Sequence, residues 1–217
     1  MDIKRLIGRR RFLTNVASAA AMAGTASWVS GASAADPGAY QPVVGDDGML
    51  TQRWFVESFL DLKDDLAEAR AKGQRLAVIW EQRGCPYCRE MHMVNFADPE
   101  ISDYIRKHFM VLQLNIFGSK PVTDFDGTIL EEKAMARKYG VVFTPTIQFF
   151  PDDPALVKGK PANTVEVARM PGYFKPFHFV SMFEYVYEKA YETQHFQAFL
   201  QGKAEKLRAQ GKDVKLW

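Results

Sequence analysis

Two cysteines occur in the 217 residues, Cys85 and Cys88, in the stretch RGCPYCREMH. A Cys-x-x-Cys pair serves covalent haem attachment, metal binding or reversible disulfide formation. Haem attachment needs a histidine directly after the second cysteine, and Arg89 stands there. A closed zinc site needs four ligands, and His92 would bring only a third. Cu(I) is a further option, because soft thiolates with Met91 or Met93 nearby suit it. For redox chemistry the local sequence is favourable. Pro86 is tolerated in the first turn of a helix, which puts Cys85 at the cap position. There its sulfur faces unpaired backbone N–H groups and the positive end of the helix dipole, which favour thiolate. Cys85 is therefore the candidate nucleophile. Cys88, one turn further in, is the candidate resolving thiol, protonated until Cys85 is held in a mixed disulfide. With no third cysteine, the pair has no other partner within the chain.

Glu81, four residues before Cys85 at the end of the expected strand, is the nearest acidic group that could serve as proton acceptor. It either accepts the proton of Cys88, with burial raising its pKa, or is solvated at a strand end. His92 reads as a surface or helix-packing residue. The stretch TDFDGTIL, residues 123–130, matches an aspartyl-phosphatase pattern, but that chemistry needs its first Asp at the end of a buried strand. Here GSKPV precedes it, so Asp124, Asp126 and Gly127 read as turn formers.

The elements that must hold the pair follow from hydrophobic periodicity. RLAVIW, residues 75–80, is a continuous apolar run fitting a strand buried on both faces, ending just before the cysteines. Ahead of it, Ser58 with Asp61 resembles a capping box, and Phe59, Leu62, Leu66 and Ala69 recur at helical spacing up to Gly73. Asp98 and Pro99 start a helix over DPEISDYIRKHF. MVLQLNI, residues 110–116, is a second strand with Leu112, Leu114 and Ile116 on one face. Residues 117–129 read as a polar loop, and LEEKAMARKYG as a helix closed by Gly140. TIQFF, residues 146–150, and TVEVARM, residues 164–170, are expected as an antiparallel pair. From Pro176 onward the pattern is helical, with a core stripe of Phe177, Val180, Phe183, Tyr187 and Tyr191. The plan is α/β with a central sheet.

The first 34 residues have the layout of an export signal: a basic start, an Ala-rich run and small residues ending in Ala32 and Ala34. Arg9, Arg10, Phe12 and Leu13 match the twin-arginine pattern that sends folded proteins across the bacterial inner membrane. The run Val16–Val29 is too short and too rich in small polar residues for a stable span. This segment holds Lys4, Arg5, Arg9, Arg10 and Arg11 against Asp2, out of 28 basic and 26 acidic side chains in all. The remainder is slightly acidic, so no basic surface for nucleic acid or anionic lipid is indicated. Residues 35–50 read as a flexible leader, and 51–217 as one domain.

Taken together, GCPYC at a strand-to-helix junction and FTPT, residues 143–146, before a strand resemble the thioredoxin fold over about residues 55–195. The resemblance implies an α/β fold, a central mixed sheet flanked by helices, here with an extended C-terminal helical segment. It implies that Pro145 is cis and lies with Thr144 against the cysteines, and that Tyr87 and Phe143 offer apolar surface to substrate. It implies no cofactor beyond the Cys85–Cys88 redox disulfide. Thioredoxins commonly carry a buried aspartate where this chain has Ile79, so the usual proton acceptor for Cys88 is missing there, and Glu81 stays open between that role and a solvated strand end. EQRGCPYC with ADPEI, LNIFGS and VTDFDG is similar to the periplasmic thioredoxin-like proteins of sulfur-oxidation gene clusters, the SoxW type. That similarity implies protein thiol and disulfide substrates, a sulfur-carrier protein among them, and a membrane electron donor of the CcdA or DsbD type. Copper delivery, and an isomerase or oxidase role, stay open alternatives.

Overall fold

The computed structural model describes residues 40–212 and 214; the expected export signal lies outside the described residues. A four-stranded mixed sheet runs through the molecule. Its centre is β3 (Arg75–Glu81), parallel to β4 (Phe109–Asn115) on one side and antiparallel to β7 (Thr146–Phe149) on the other. β8 (Ala168–Pro171) completes the sheet antiparallel to β7. All seven residues of β3 are buried, as its unbroken apolar run requires. The expected pairing of the last two strands holds, but α5 (Pro154–Val157) and a 3-10 turn, Ala162–Thr164, lie between them, and β8 starts at Ala168.

Alternation along β3 divides the core into two layers. Leu76, Val78 and Trp80 face α1 (Leu62–Ala71) and α4 (Glu132–Lys138), packing on Leu62, Leu66, Ala69, Met135 and Ala136. Ala77 and Ile79 face the other way, toward Met91, Phe96, and Ile101 and Ile105 of α3 (Pro99–His108). α6 (Pro176–Tyr187) covers this second layer with Phe179, Met182, Phe183 and Val186. The buried face of α6 is thus centred to one side of the expected stripe: Phe183 is common to both, and Val180 and Tyr191 of that stripe pack partly buried against the same layer. Tyr187 is exposed at the helix edge, its ring 4.0 Å from that of His108 on α3. The helix stops at Glu188, because Lys189 is left-handed with φ 56°. After a 3-10 turn, Ala190–Glu192, the chain resumes as α7 (Phe196–Ala209).

The starts of α1 and α3 are capped by aspartate side chains. Asp98 accepts from the N–H groups of Glu100 and Ile101 with Pro99 in the first turn, as expected. At α1 the expected capping box is replaced. Asp61 is itself the cap, accepting from Lys63 and Asp64, while Ser58 Oγ donates to Asp65. Phe59 lies before this start and is fully exposed rather than part of the apolar face.

Two segments read as loops are paired. In the expected flexible leader, β1 (Val43–Val44) and β2 (Leu50–Thr51) form a hairpin, and the Tyr40 hydroxyl donates to Asp103 at 3.0 Å. In the expected polar loop, β5 (Pro121–Thr123) pairs antiparallel with β6 (Ile129–Glu131) around the Asp124–Gly127 turn. Asp124 and Asp126 both take a salt bridge from Lys138, which accounts for the phosphatase-like stretch as a structural turn. Both hairpins are too short for alternation to register in the sequence. Among the described residues no helix is long and apolar enough to cross a membrane.

Candidate active site

The cysteines sit where β3 gives way to α2 (Pro86–Glu90). Gly84, with φ 75°, makes the turn in a left-handed conformation that a side chain would strain. Cys85 is the N-cap of α2 with extended backbone angles, Pro86 occupies the first turn, and the Cys88 N–H donates to Cys85 Sγ at 3.0 Å. The structure therefore places Cys85 where the sequence put it, with a backbone donor aimed at its sulfur. Cys85 and Cys88 are joined as a disulfide, Cα atoms 5.2 Å apart. Their exposures, 6% and 4%, do not separate the two. What separates them is position: Cys85 is the N-cap of α2 and Cys88 lies within the helix.

The loop before β7 closes over Cys85. Thr144–Pro145 is the cis peptide bond of the described residues. The Thr144 carbonyl oxygen lies 3.5 Å from Cys85 Sγ, and its hydroxyl donates to the same sulfur at 3.4 Å. Gly172, after β8, donates its N–H to the Pro145 carbonyl at 2.7 Å, tying the two loops together. Around this centre Tyr87 is 61% and Phe143 63% exposed. Tyr87 lies nearly parallel to Tyr173, with ring centroids 6.5 Å apart. Tyr87 and Phe143 are thus both exposed, and Tyr173 joins Tyr87 from a loop that sequence reading did not single out.

Beneath the cysteine helix lies a buried polar cluster. Glu81 is not solvated: it ends β3 at 1% exposure, and both its oxygens stand 3.1 Å from His92 Nε2. Gln113 Nε2, on β4, donates to Glu81 Oε2 at 3.0 Å and to the Leu50 carbonyl at 2.7 Å. Gln52 Nε2, just after β2, donates to His92 Nδ1 at 3.2 Å. His92 is fully buried between the rings of Phe55 and Phe96, which corrects its reading as a surface residue in favour of helix packing. Its place on a π-helical turn, Met91–Asn95, closed by the Phe96 N–H to Met91 carbonyl bond, directs it inward. Sequence carried one signal for this: His92 follows Cys88 by four residues, one helical turn. Gln52 and Gln113 left none. Of the methionines considered for copper, Met91 is buried in the core and Met93 is exposed. Among the described residues no three His, Cys, Asp or Glu side chains gather as a metal-holding group.

A disulfide capping a helix beside a cis-proline loop defines a disulfide-exchange centre on a thioredoxin fold. Residues 62–187 match the family model described as a thioredoxin-like domain, and the chain belongs to that family. Among solved structures it is similar to a thioredoxin-fold protein from Helicobacter pylori, at 20% identity over 61% of this chain and 86% of that one, TM-score 0.49. A thioredoxin from Thermus thermophilus matches at 26% identity over 57% and 81%, TM-score 0.42. The oxidised C-terminal domain of DsbD from Neisseria meningitidis matches at 17% over 57% and 87%, TM-score 0.39. No curated protein matches the chain in sequence. Family and disulfide together make the chain a thiol:disulfide oxidoreductase.

Proposed function

We propose that this oxidoreductase works in the periplasm as a reductase of protein disulfides or cysteine-bound sulfur, with Cys85 as nucleophile and Cys88 as resolving thiol. The observation that carries the reading is Cys85 Sγ at the N-cap of α2, with a helix N–H and the Thr144 hydroxyl both donating to it. Both donors favour the thiolate over the thiol. In the forward reaction the Cys85 thiolate attacks a substrate disulfide, and one substrate sulfur leaves with a proton. The Cys88 thiolate then attacks Cys85 Sγ, the second substrate sulfur leaves, and the Cys85–Cys88 bond takes up the oxidation. Two electrons pass to substrate per cycle, so a dithiol donor must reduce the pair again. The periplasm has no soluble thiol buffer, so a membrane donor of the CcdA or DsbD type fits that need. The twin-arginine pattern supports the location, and the sequence likeness to SoxW-type proteins supports a sulfur-carrier substrate bearing a cysteine.

Substrate contact is assigned to Thr144, Pro145, Tyr87 and Phe143. Pro145 lacks an N–H, so the chain beside it completes no ladder there, and an extended substrate can pair with the Thr144 backbone. The tests are covalent. Iodoacetamide on the reduced protein at neutral pH labels Cys85 in preference to Cys88; the reverse order overturns the assignment. A Cys88→Ser variant attacks without resolving and traps partners through Cys85. Capture of a small sulfur carrier from periplasm supports the specific reading, and capture only of secreted proteins with structural disulfides supports a general reductase or isomerase. No capture at all returns the cysteines to copper delivery.

A further inference from the structure

We propose that Tyr173 is a specificity-determining residue: with Tyr87 it forms an aromatic platform that favours substrates carrying an aromatic side chain two residues from the disulfide cysteine, and Asn95 is the positioning residue that holds it there. This deepens the proposed reductase function and rests on Cys85 being the nucleophile toward protein disulfides. Tyr87 stands between the two cysteines on α2 and is largely exposed, and Tyr173 stands half-buried beside it. Their ring planes differ by 15°, with centroids 6.5 Å apart. That spacing is within the range over which aromatic rings attract. A third flat apolar group that settles on such a pair buries more surface than it would on one ring alone.

The place of Tyr173 is fixed by hydrogen bonds at three successive residues. Gly172 donates its N–H to the Pro145 carbonyl at 2.7 Å. The Tyr173 hydroxyl meets Asn95 Oδ1 at 3.2 Å, and Asn95 Nδ2 donates to the Phe174 carbonyl at 2.8 Å. A carbonyl can only accept, so the Asn95 amide is turned with its nitrogen to Phe174. Its oxygen is then left for Tyr173, whose hydroxyl must be the donor. Asn95 is fully buried at the end of the π-helical turn that continues the cysteine helix. The loop is thus tied to the cis-proline on one side and to the cysteine helix on the other. A ring held in this way loses little freedom when substrate arrives, which is how a preformed surface gains selectivity.

The chemistry of the occupant follows from the substrate's backbone. A segment paired with the Thr144 backbone is extended, so its side chains alternate between faces. The residue two positions from its cysteine therefore points the same way as the reacting sulfur, about 6.6 Å along the chain. Alternate Cα atoms of a helix, such as those of Cys85 and Tyr87, are about 5.4 Å apart, a similar step. A flat side chain at that position is the one presented to the platform. Between an aromatic ring and a guanidinium, the local charge favours the ring. Arg83 and Arg89 are exposed around the cysteines against Glu90 alone, while Glu81 is buried.

The test uses the reduced full chain and disulfide-linked dimers of one short peptide, with tryptophan, alanine or arginine at both positions two residues from its single cysteine. Each dimer carries the same neighbours on both sulfurs, so the choice of sulfur attacked does not enter. In the parent the tryptophan dimer is expected to be reduced with kcat/KM about tenfold above the alanine dimer. The ratio is taken within each variant, so a general loss of activity cancels. Tyr173→Leu removes the ring and should bring the ratio to about twofold. Tyr173→Phe keeps the ring and loses only the bond to Asn95, and should give about threefold. Equal rates for the two dimers in the parent, or a tenfold ratio that survives Tyr173→Leu, overturn the proposal. A ratio unchanged in Tyr173→Phe overturns the part given to Asn95, and an arginine dimer that outruns the tryptophan dimer overturns the aromatic substrate. If the parent reduces none of the dimers, it is the oxidoreductase reading that fails.

Discussion

Glu81 and Glu132 are both buried glutamates at one rim of the sheet, and they are bound there by different kinds of partner. Glu81 pairs in register with Asn115 of β4, and the Asn115 N–H donates to Glu132 Oε1 at 2.9 Å. Glu132 Oε2 accepts from the Lys120 N–H at 3.3 Å, and the Lys133 N–H returns a bond to the Gly118 carbonyl. All these partners are backbone groups, whose charge never changes. Glu132 is thereby a clamp on the loop from Asn115 to Lys120, on which Phe117 is exposed. Glu81 is held by side chains, His92 and Gln113. Burial is shared by the two; what differs is that Glu132 fastens backbone N–H groups of a loop, while Glu81 joins side chains from separate elements across the core.

The sharpest way to break this contrast is Glu132→Leu. It strips two backbone N–H groups of their acceptor, at a cost of about 3 kcal/mol. Urea unfolding should show that loss, while iodoacetamide labelling of the folded, reduced protein keeps its preference for Cys85. An unchanged unfolding midpoint would mean that the loop is held by something else. Gly118→Ala attacks the same clamp from the other side, since a Cβ there would come within 1.9 Å of Glu132 Oε2. Overpacking of this kind costs about 2 kcal/mol, read from the same unfolding curves.

Asp65 supplies a third buried carboxylate and a pH test. Burial pushes it up to about 6, against the opposing pull of the Ser58 hydroxyl that donates to it. A pKa raised in the folded state contributes stability below the unfolded value near 4 and loses it as pH rises through about 6. The stability of Asp65→Asn relative to the parent should therefore improve by about 1.5 kcal/mol between pH 4 and pH 8. A constant difference across that range would show that the carboxyl is not held protonated by its surroundings. The smallest effect belongs to the caps. Asp98 caps α3 through its carboxylate as Cys85 caps α2 through sulfur, so Asp98→Ala should cost about 1 kcal/mol and leave iodoacetamide labelling of Cys85 unaltered.

Several parts of the molecule were legible because a local rule governed them. Proline in the first turn, a capping residue before it and an apolar run ahead of it are short-range facts. They place Cys85 at the mouth of α2, Asp98 at the start of α3, and β3 and β4 at the centre. The FTPT stretch was legible only through its family likeness, since no local rule brings Thr144 to a cysteine 59 residues away in sequence. Alternation failed where elements are two or three residues long, as in the β1–β2 and β5–β6 hairpins. It also caught only part of the face of α6, because an aromatic-rich helix carries apolar residues on more than one side.

By itself the sequence determined which residues could exchange sulfur, and on which helix they stand, through the spacing of Cys85 and Cys88, the proline between them and the absence of any third thiol. Only the tertiary structure decided what lies beneath them. Gln52, Glu81, His92 and Gln113 come from four separate segments, and nothing in any one segment calls for the others. A hydrogen bond across the core is satisfied by whichever polar atom the fold delivers within about 3 Å, and that delivery depends on sheet register and helix packing together.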